Sequence, residues 1–284
     1  MGWGYYSVDD RKARSAKLGY STKNINEIFS QESISNAMDP QKIQIRESRD
    51  SQDHPESISI ILALDVTGSM GSIPHYLVKE GLPHIMGNII ERGLKDPQLL
   101  FLAIGDHECD RYPLQVGQFE SNDELLDKWL TEVYLEGGGG GNGGESYLLA
   151  WYFGGFHTVI DCYEKRKEKG VLFTIGDEPN LNGITSTQLK EIMGKGQFKD
   201  YSSLELLSKA REIYNVYHLH IKETASGRTQ TVMDGWKEVL RENLIIVENS
   251  KEISKIIPEI VSSVYSKKNQ IEDKPGEKGT QIIL

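Results

Sequence analysis

The sequence predicts an α/β protein, a doubly wound and mostly parallel sheet with helices on both faces. Three observations carry this. Short, almost purely apolar runs rich in β-branched residues recur along the chain, as strands covered on both faces require. Segments with helical apolar spacing separate them. The glycine, hydroxyl and carboxylate clusters fall just after the apolar runs, where the loops of such a sheet converge.

The first strand is predicted at Ile58 to Leu64 (ISIILAL). A helix over Gly71 to Arg92 follows, with Pro74 in its first turn, where a missing N–H costs nothing. Leu99 to Ile104 (LLFLAI) is the second strand and Glu124 to Val133 a helix. Gly137 to Gly144 reads as a loop and Glu145 to Tyr163 as one long helix. Further strands are expected at Val171 to Ile175, Val216 to Ile221 and Leu244 to Val247, and helices at Ser203 to Ile213, Met233 to Arg241 and Lys251 to Val264. Residues 57–265 thus form the folded domain. Residues 1–56 read as a polar arm with a short helix near Asn24 to Phe29, which Trp3, Tyr5 and Tyr6 pin to the core. Residues 266–284 read as a mobile tail whose closing Gln-Ile-Ile-Leu suits an edge strand or docking peptide.

At 284 residues and 38% hydrophobic content, the chain is large enough to bury one substantial core. No stretch approaches the roughly 20 apolar residues of a membrane helix, and the first ten residues lack the pattern of a secretory signal. Cytoplasmic residence and no membrane association are therefore expected. The net charge of -10 disfavours nucleic acid as a partner. Cys109 and Cys162 stand far apart and suggest small buried hydrophobes rather than a disulfide or zinc framework.

Directly after the first strand stands Asp65-Val66-Thr67-Gly68-Ser69, which fits D-x-[ST]-x-S. Alternate residues of a strand-to-helix loop can aim three oxygens at one point, and a carboxylate with two hydroxyls suits Mg²⁺, Mn²⁺ or Ca²⁺ rather than zinc. The competing use of Thr67 or Ser69 is as a helix cap. Two other loops match: Gly176-Asp177-Glu178-Pro179 after VLFTI, and the glycine-rich run ending Asn142-Gly143-Gly144-Glu145. Alone, Asp177 could be a turn residue and the glycines a surface loop; together, at strand ends, the three loops point to a shared site.

These three loops resemble the metal-ion-dependent adhesion site of von Willebrand factor A domains, and the resemblance spans about Ile58 to Val264. In that family the loops supply Asp-x-Ser-x-Ser, a Thr or Asp, and an Asp. By resemblance, Asp65, Thr67 and Ser69 match the first loop and Asp177 the third. The second loop departs from the pattern, with Asn142 or Glu145 in place of the usual Thr. The resemblance implies a Rossmann-like fold and a non-catalytic module that uses a divalent cation, foremost Mg²⁺, to grip an Asp or Glu of a partner protein. It also implies work in a multi-protein assembly, with an AAA-plus ATPase or kinase system as the partner type. Asp106, His107, Glu108 and Asp110, just past the second strand, are candidate rim residues for partner contact.

Two competing functions remain open on the residues. Asp65, Asp106 and Asp177 around Mg²⁺ would suit phosphoryl transfer or hydrolysis, although a nucleophile with its base and a cationic clamp are missing, and the glycine loop lacks the Gly-Lys-[Ser/Thr] ending of a nucleotide-binding loop. A structural subunit with a permanently filled site is the other. His218 and His220 alternate on a strand without a third ligand and read as core histidines; Trp129, Trp151 and Trp236 read as core aromatics in helices.

Overall fold

The computed structural model describes residues 6–94, 96–135 and 141–272. Trp3, Tyr5, Gly137 to Gly140 and the Gln-Ile-Ile-Leu terminus lie outside the described residues. The chain opens with helix α1 (Val8–Leu18), whose ends are set by the Ser7 side chain accepting from Asp10 N and by Gly19 in the left-handed region. Helix α2 (Ile25–Ile28) carries a capping box from Asn24 and Glu27. Strand β1 (Arg46–Ser48) then leads to β2 (Ile58–Asp65), the wholly buried run foreseen from its composition.

After β2 the helical segment is divided into α3 (Ile73–Tyr76), a π turn over Leu77–Gly81 and α4 (Leu82–Glu91). Strands β3 (Pro97–Ile104) and β4 (Leu114–Val116) and helix α5 (Asp123–Thr131) follow. The single long helix expected from Glu145 to Tyr163 is instead three elements: α6 (Leu148–Phe156), β5 (Thr158–Ile160) and α7 (Asp161–Arg166). The consecutive Thr158-Val159-Ile160 favours extended backbone over helix, and β1 supplies the pairing partner for it. The chain continues through β6 (Gly170–Gly176), β7 (Gly183–Ile184), α8 (Ser186–Met193), β8 (Tyr201–Ser202), α9 (Ser203–Ile213), β9 (Tyr214–Ile221), α10 (Gln230–Leu240), β10 (Leu244–Val247) and α11 (Ile253–Glu272). The last of these extends seven residues past Tyr265, over part of the segment expected to be tail.

The main sheet has six strands in the order β10-β9-β6-β2-β3-β4, all parallel except the short edge strand β4. Counted along the chain this is the doubly wound order 3-2-1-4-5-6, and its switch point, where the direction of winding reverses, lies between β2 and β6. Alternate β2 residues serve opposite faces: Ile60, Leu62 and Leu64 pack with Ile85, Leu126 and Ile257, whereas Ile61 and Ala63 pack with Leu149, Trp151 and Leu207.

The segment before β2 is tied down by charge as well as by apolar contact. Arg11 is fully buried and donates to Asp127 and to the Val78 carbonyl inside the π turn. Arg14 pairs with Asp123 at 2.8 Å, and the Tyr20 hydroxyl donates to Asp127 at 2.7 Å. Tyr6 packs in the core on the same side of the sheet. No helix among the described residues is long and apolar enough to cross a membrane.

Candidate metal centre

At the switch point, β2 ends on Asp65 and β6 ends on Gly176, so Asp65 and Asp177 leave neighbouring parallel strands at the same end of the sheet. Both carboxylates are fully buried. Asp65 Oδ1 accepts the Thr67 N–H at 2.9 Å and the Thr67 hydroxyl at 2.6 Å. Thr67 Oγ1 lies 3.3 Å from Ser69 Oγ, and the Ser69 hydroxyl donates to Asp177 Oδ1 at 2.9 Å. Neither hydroxyl caps a helix: the 3-10 turn Gly68–Met70 has no side-chain cap from Thr67, and α3 begins only at Ile73. The four residues therefore form a continuous polar chain across the switch point, of which Ser69 is the exposed link.

This chain opens on a cavity of about 120 Å³ lined by Thr67, Ser69, Gly141 to Glu145 and Glu178. Gly141 and Gly143 both have φ of 72°, a backbone that favours glycine. Both second-loop candidates line the cavity, but in different ways. Asn142 is exposed and its side-chain amide donates to Glu108 at 2.9 Å. Glu145 is buried, its backbone N–H and C=O are taken by Pro179 and Leu181, and its Oε2 has no hydrogen-bond partner. Asp177 Oδ2 is likewise buried and unpartnered. Leaving such oxygens unpaired is costly.

The electrostatics follow from burial. Desolvation pushes the Asp65 carboxyl up to about 7, against the lowering effect of its hydrogen bonds to Thr67 and Tyr147, with Asp177 adding repulsion. Desolvation, then repulsion from Asp65, Asp110 and Asp106, raises Glu145 to about 9.

Among the expected rim residues, Asp106 turns inward: its Oδ1 accepts Glu108 N at 2.8 Å and its Oδ2 is buried without a partner. Asp110 Oδ2 accepts Asp106 N at 2.7 Å. His107 is half-buried and meets Ser146 Oγ through both its N–H, at 2.8 Å, and its Nδ1, at 2.7 Å. Glu108 alone of these is exposed and joined to the glycine loop. Cys109 is exposed, contrary to the expected burial, because it sits at the tip of this tight acidic turn; Cys162 is buried.

Two residues of the site escaped the sequence reading. The Tyr147 hydroxyl donates to Asp65 Oδ2 at 2.8 Å, and Ser146 anchors His107. Both precede α6 as ordinary neighbours of Glu145, and nothing in their spacing marks their long-range partners. His218 and His220 are fully buried, with Nδ1 of His218 2.9 Å from the Thr174 hydroxyl and Nε2 of His220 2.9 Å from the Gly227 carbonyl. His218 stacks on Trp236 at 3.6 Å.

The geometry suits a hard cation better than a soft one. Asp65, Thr67, Ser69 and Asp177 offer carboxylate and hydroxyl oxygens, and two neighbouring carboxylate oxygens lack partners. Among the described residues, no group of three or more His, Cys, Asp or Glu side chains is placed to hold a metal ion, so hydroxyls and waters would have to complete the coordination.

No protein-family model matches the sequence, and no curated protein matches it. Solved structures do. The pilus adhesin SpaC from Lactobacillus rhamnosus GG is similar with a TM-score of 0.51 at 10% identity, over 78% of this chain and 32% of the adhesin. The chain thus spans about a third of the adhesin's length. BatB, a conserved hypothetical protein from Bacteroides thetaiotaomicron, aligns with a TM-score of 0.44 at 13% identity, over 74% of this chain and 99% of BatB. An aerotolerance-related membrane protein from Bacteroides fragilis aligns with a TM-score of 0.43 at 12% identity, over 72% and 99%. Strand order and parallel topology define a doubly wound, Rossmann-like fold, consistent with the von Willebrand factor A-like architecture that the loop motifs resemble; at 10% identity the adhesin's likeness speaks for fold alone.

Proposed function

We propose that the chain is a metal-dependent protein-binding module whose cation site is built from Asp65, Thr67, Ser69 and Asp177, with Glu145 or Asn142 from the glycine-rich loop. The observation that carries this reading is the hydrogen-bonded chain from Asp65 through Thr67 and Ser69 to Asp177, beside a cavity lined by Glu145, whose Oε2 has no hydrogen-bond partner. Burial of like charges is unfavourable without a counter-charge, and a divalent cation supplies one. Mg²⁺ is the first choice, with Mn²⁺ and Ca²⁺ as alternatives, because the donors are all hard oxygens.

When bound, the cation supplies an open coordination position for a carboxylate of the partner. The residues of the chain do the rest. Thr67 and Tyr147 hold the Asp65 carboxylate from both sides, Ser69 ties the first loop to the third, and Glu108 sets the exposed rim. The partner is a protein that presents Asp or Glu. The adhesin sharing the fold is by its name a binding protein, which agrees with this reading.

The hydrolytic alternative finds less support. No Lys or Arg is among the described residues lining the cavity, so a phosphate clamp is lacking there. The Ser146–His107 contact does not make a nucleophile, since Ser146 is fully buried and its oxygen accepts the His107 backbone N–H. The test is titration calorimetry with Mg²⁺ and Mn²⁺ on wild type and Asp177→Ala: uptake by the first and a marked loss in the second supports the site, and no uptake by wild type at millimolar metal refutes it.

A further inference from the structure

We infer that Tyr147 is a positioning residue for the cation site, fixing the plane of the Asp65 carboxylate through its hydroxyl. The inference rests on the metal-binding reading above and adds a residue that lies outside all three loop motifs.

A carboxylate rotates freely about its last torsion unless both oxygens are held. Thr67 occupies Oδ1 of Asp65 from within the same loop, at 2.9 Å and 2.6 Å. Oδ2 is held from across the molecule by Tyr147 at 2.8 Å. Tyr147 is itself immobilised: it is fully buried, with ring centroids 5.1 Å from His218 and 5.5 Å from Trp236, both edge-on. Trp236 is in turn anchored by its indole N–H to the Glu178 carbonyl at 3.0 Å.

A second observation comes from β6. Gly176 is its last residue, and a Cβ built there would stand 1.8 Å from the Tyr147 hydroxyl oxygen and 2.6 Å from the ring carbon that bears it. Glycine weakens a strand interior and is placed where another group must come close. Here the group is the Tyr147 hydroxyl, so the position of Gly176 is matched to the hydrogen bond on Asp65.

Three consecutive residues thereby reach three loops. Glu145 pairs through its backbone with Pro179 and Leu181, Ser146 holds His107, and Tyr147 holds Asp65. Residues that orient metal ligands in this indirect way are worth about 10–100-fold in metal affinity.

The test is Mn²⁺ binding by calorimetry to the full chain, as wild type, Tyr147→Phe, Gly176→Ala, Asp65→Ala and Tyr147→Phe/Asp65→Ala, below the temperature at which circular dichroism shows any of them unfolding. Tyr147→Phe and Gly176→Ala are each expected to weaken Mn²⁺ binding about 10–100-fold. In the Asp65→Ala background, titrated at millimolar Mn²⁺ to reach the residual site of Thr67, Ser69 and Asp177, Tyr147→Phe should cost nothing further, because it acts through Asp65. Wild-type affinity in both single variants would overturn the positioning role while leaving the metal site standing. An equal loss in the presence and absence of Asp65 would overturn it too, by showing a merely structural effect. A wild type that takes up no Mn²⁺ would overturn the metal reading and this inference together.

Discussion

The Ser69 hydroxyl donates to Asp177 Oδ1 at 2.9 Å, joining the loops after β2 and β6 although the two residues are 108 positions apart. The bond exists because those strands are adjacent and parallel at the switch point of the sheet, which brings their carboxyl ends side by side. Loops already joined by this bond need little reorganisation to hold a cation. Mg²⁺ or Mn²⁺ is therefore expected to raise the melting temperature, by about 2.7 kcal/mol of stability at a hundredfold excess over Kd. Thermal scans with metal and with EDTA check this.

The metal-free protein should lose stability as pH rises. Asp65 and Glu145 retain protons in the folded chain up to about 7 and 9, whereas in the unfolded chain they release them near ordinary carboxylate values. Their stabilising contribution is thus complete at low pH and lost as pH climbs through the folded values. Below about pH 6.5 the buried histidines oppose this, since burial lowers the values of His218 and His220 and folding there excludes protons. The clean window is pH 7 to 8.5. Melting temperatures in EDTA should fall across it, and saturating Mg²⁺ should flatten the trend; a flat metal-free profile would refute the assigned burial of charge.

Glu145→Gln and Asn142→Ala separate the two second-loop candidates. Glu145 is buried and carries a free carboxylate oxygen, while the Asn142 amide is engaged by Glu108. Glu145→Gln should reduce Mn²⁺ affinity more than Asn142→Ala and should raise metal-free stability at pH 8, because folding no longer has to protonate a carboxyl that is ionised in the unfolded chain. Calorimetry and thermal scans on the two variants read both effects.

Arg11→Ala should destabilise by about 3–5 kcal/mol, as expected when one partner of a buried ion pair is deleted. Asp127 and the Val78 carbonyl would lose their donor, while Tyr20 would remain on Asp127. Urea denaturation measures the change. A loss below about 1 kcal/mol would place this pair with ordinary surface ion pairs.

The sheet was legible because its strands are buried on both faces. ISIILAL, LLFLAI and VLFTI are almost purely apolar runs that no solvent-facing helix would carry. Strand β4 escaped because three antiparallel edge residues make no pattern, and the break after α6 because Leu148 to Phe156 continues so apolar a stretch that its end at His157 is masked. Helix α1 was hidden by its composition: its one buried residue is an arginine, held by carboxylates that only the fold brings near. At the site, Asp65, Thr67 and Ser69 stand together in sequence and needed only the strand before them to be noticed. Tyr147 and Ser146 act across more than 35 positions, on Asp65 and His107, and no local spacing announces such partners.

The central claim is that a cation held by Asp65 links this protein to an acidic group on its partner, and the most direct measurement is partner capture by wild type and Asp65→Ala, each in Mg²⁺ and in EDTA. Asp65 is buried at a strand end and held by Thr67 and Tyr147, with no cationic side chain among its partners in the described residues, so its replacement should leave the fold intact, as circular dichroism would verify. Capture is expected from wild type in Mg²⁺ alone and from Asp65→Ala in neither condition. Equal capture of the same protein by folded Asp65→Ala, or by wild type in EDTA, would contradict the claim and move recognition to another surface.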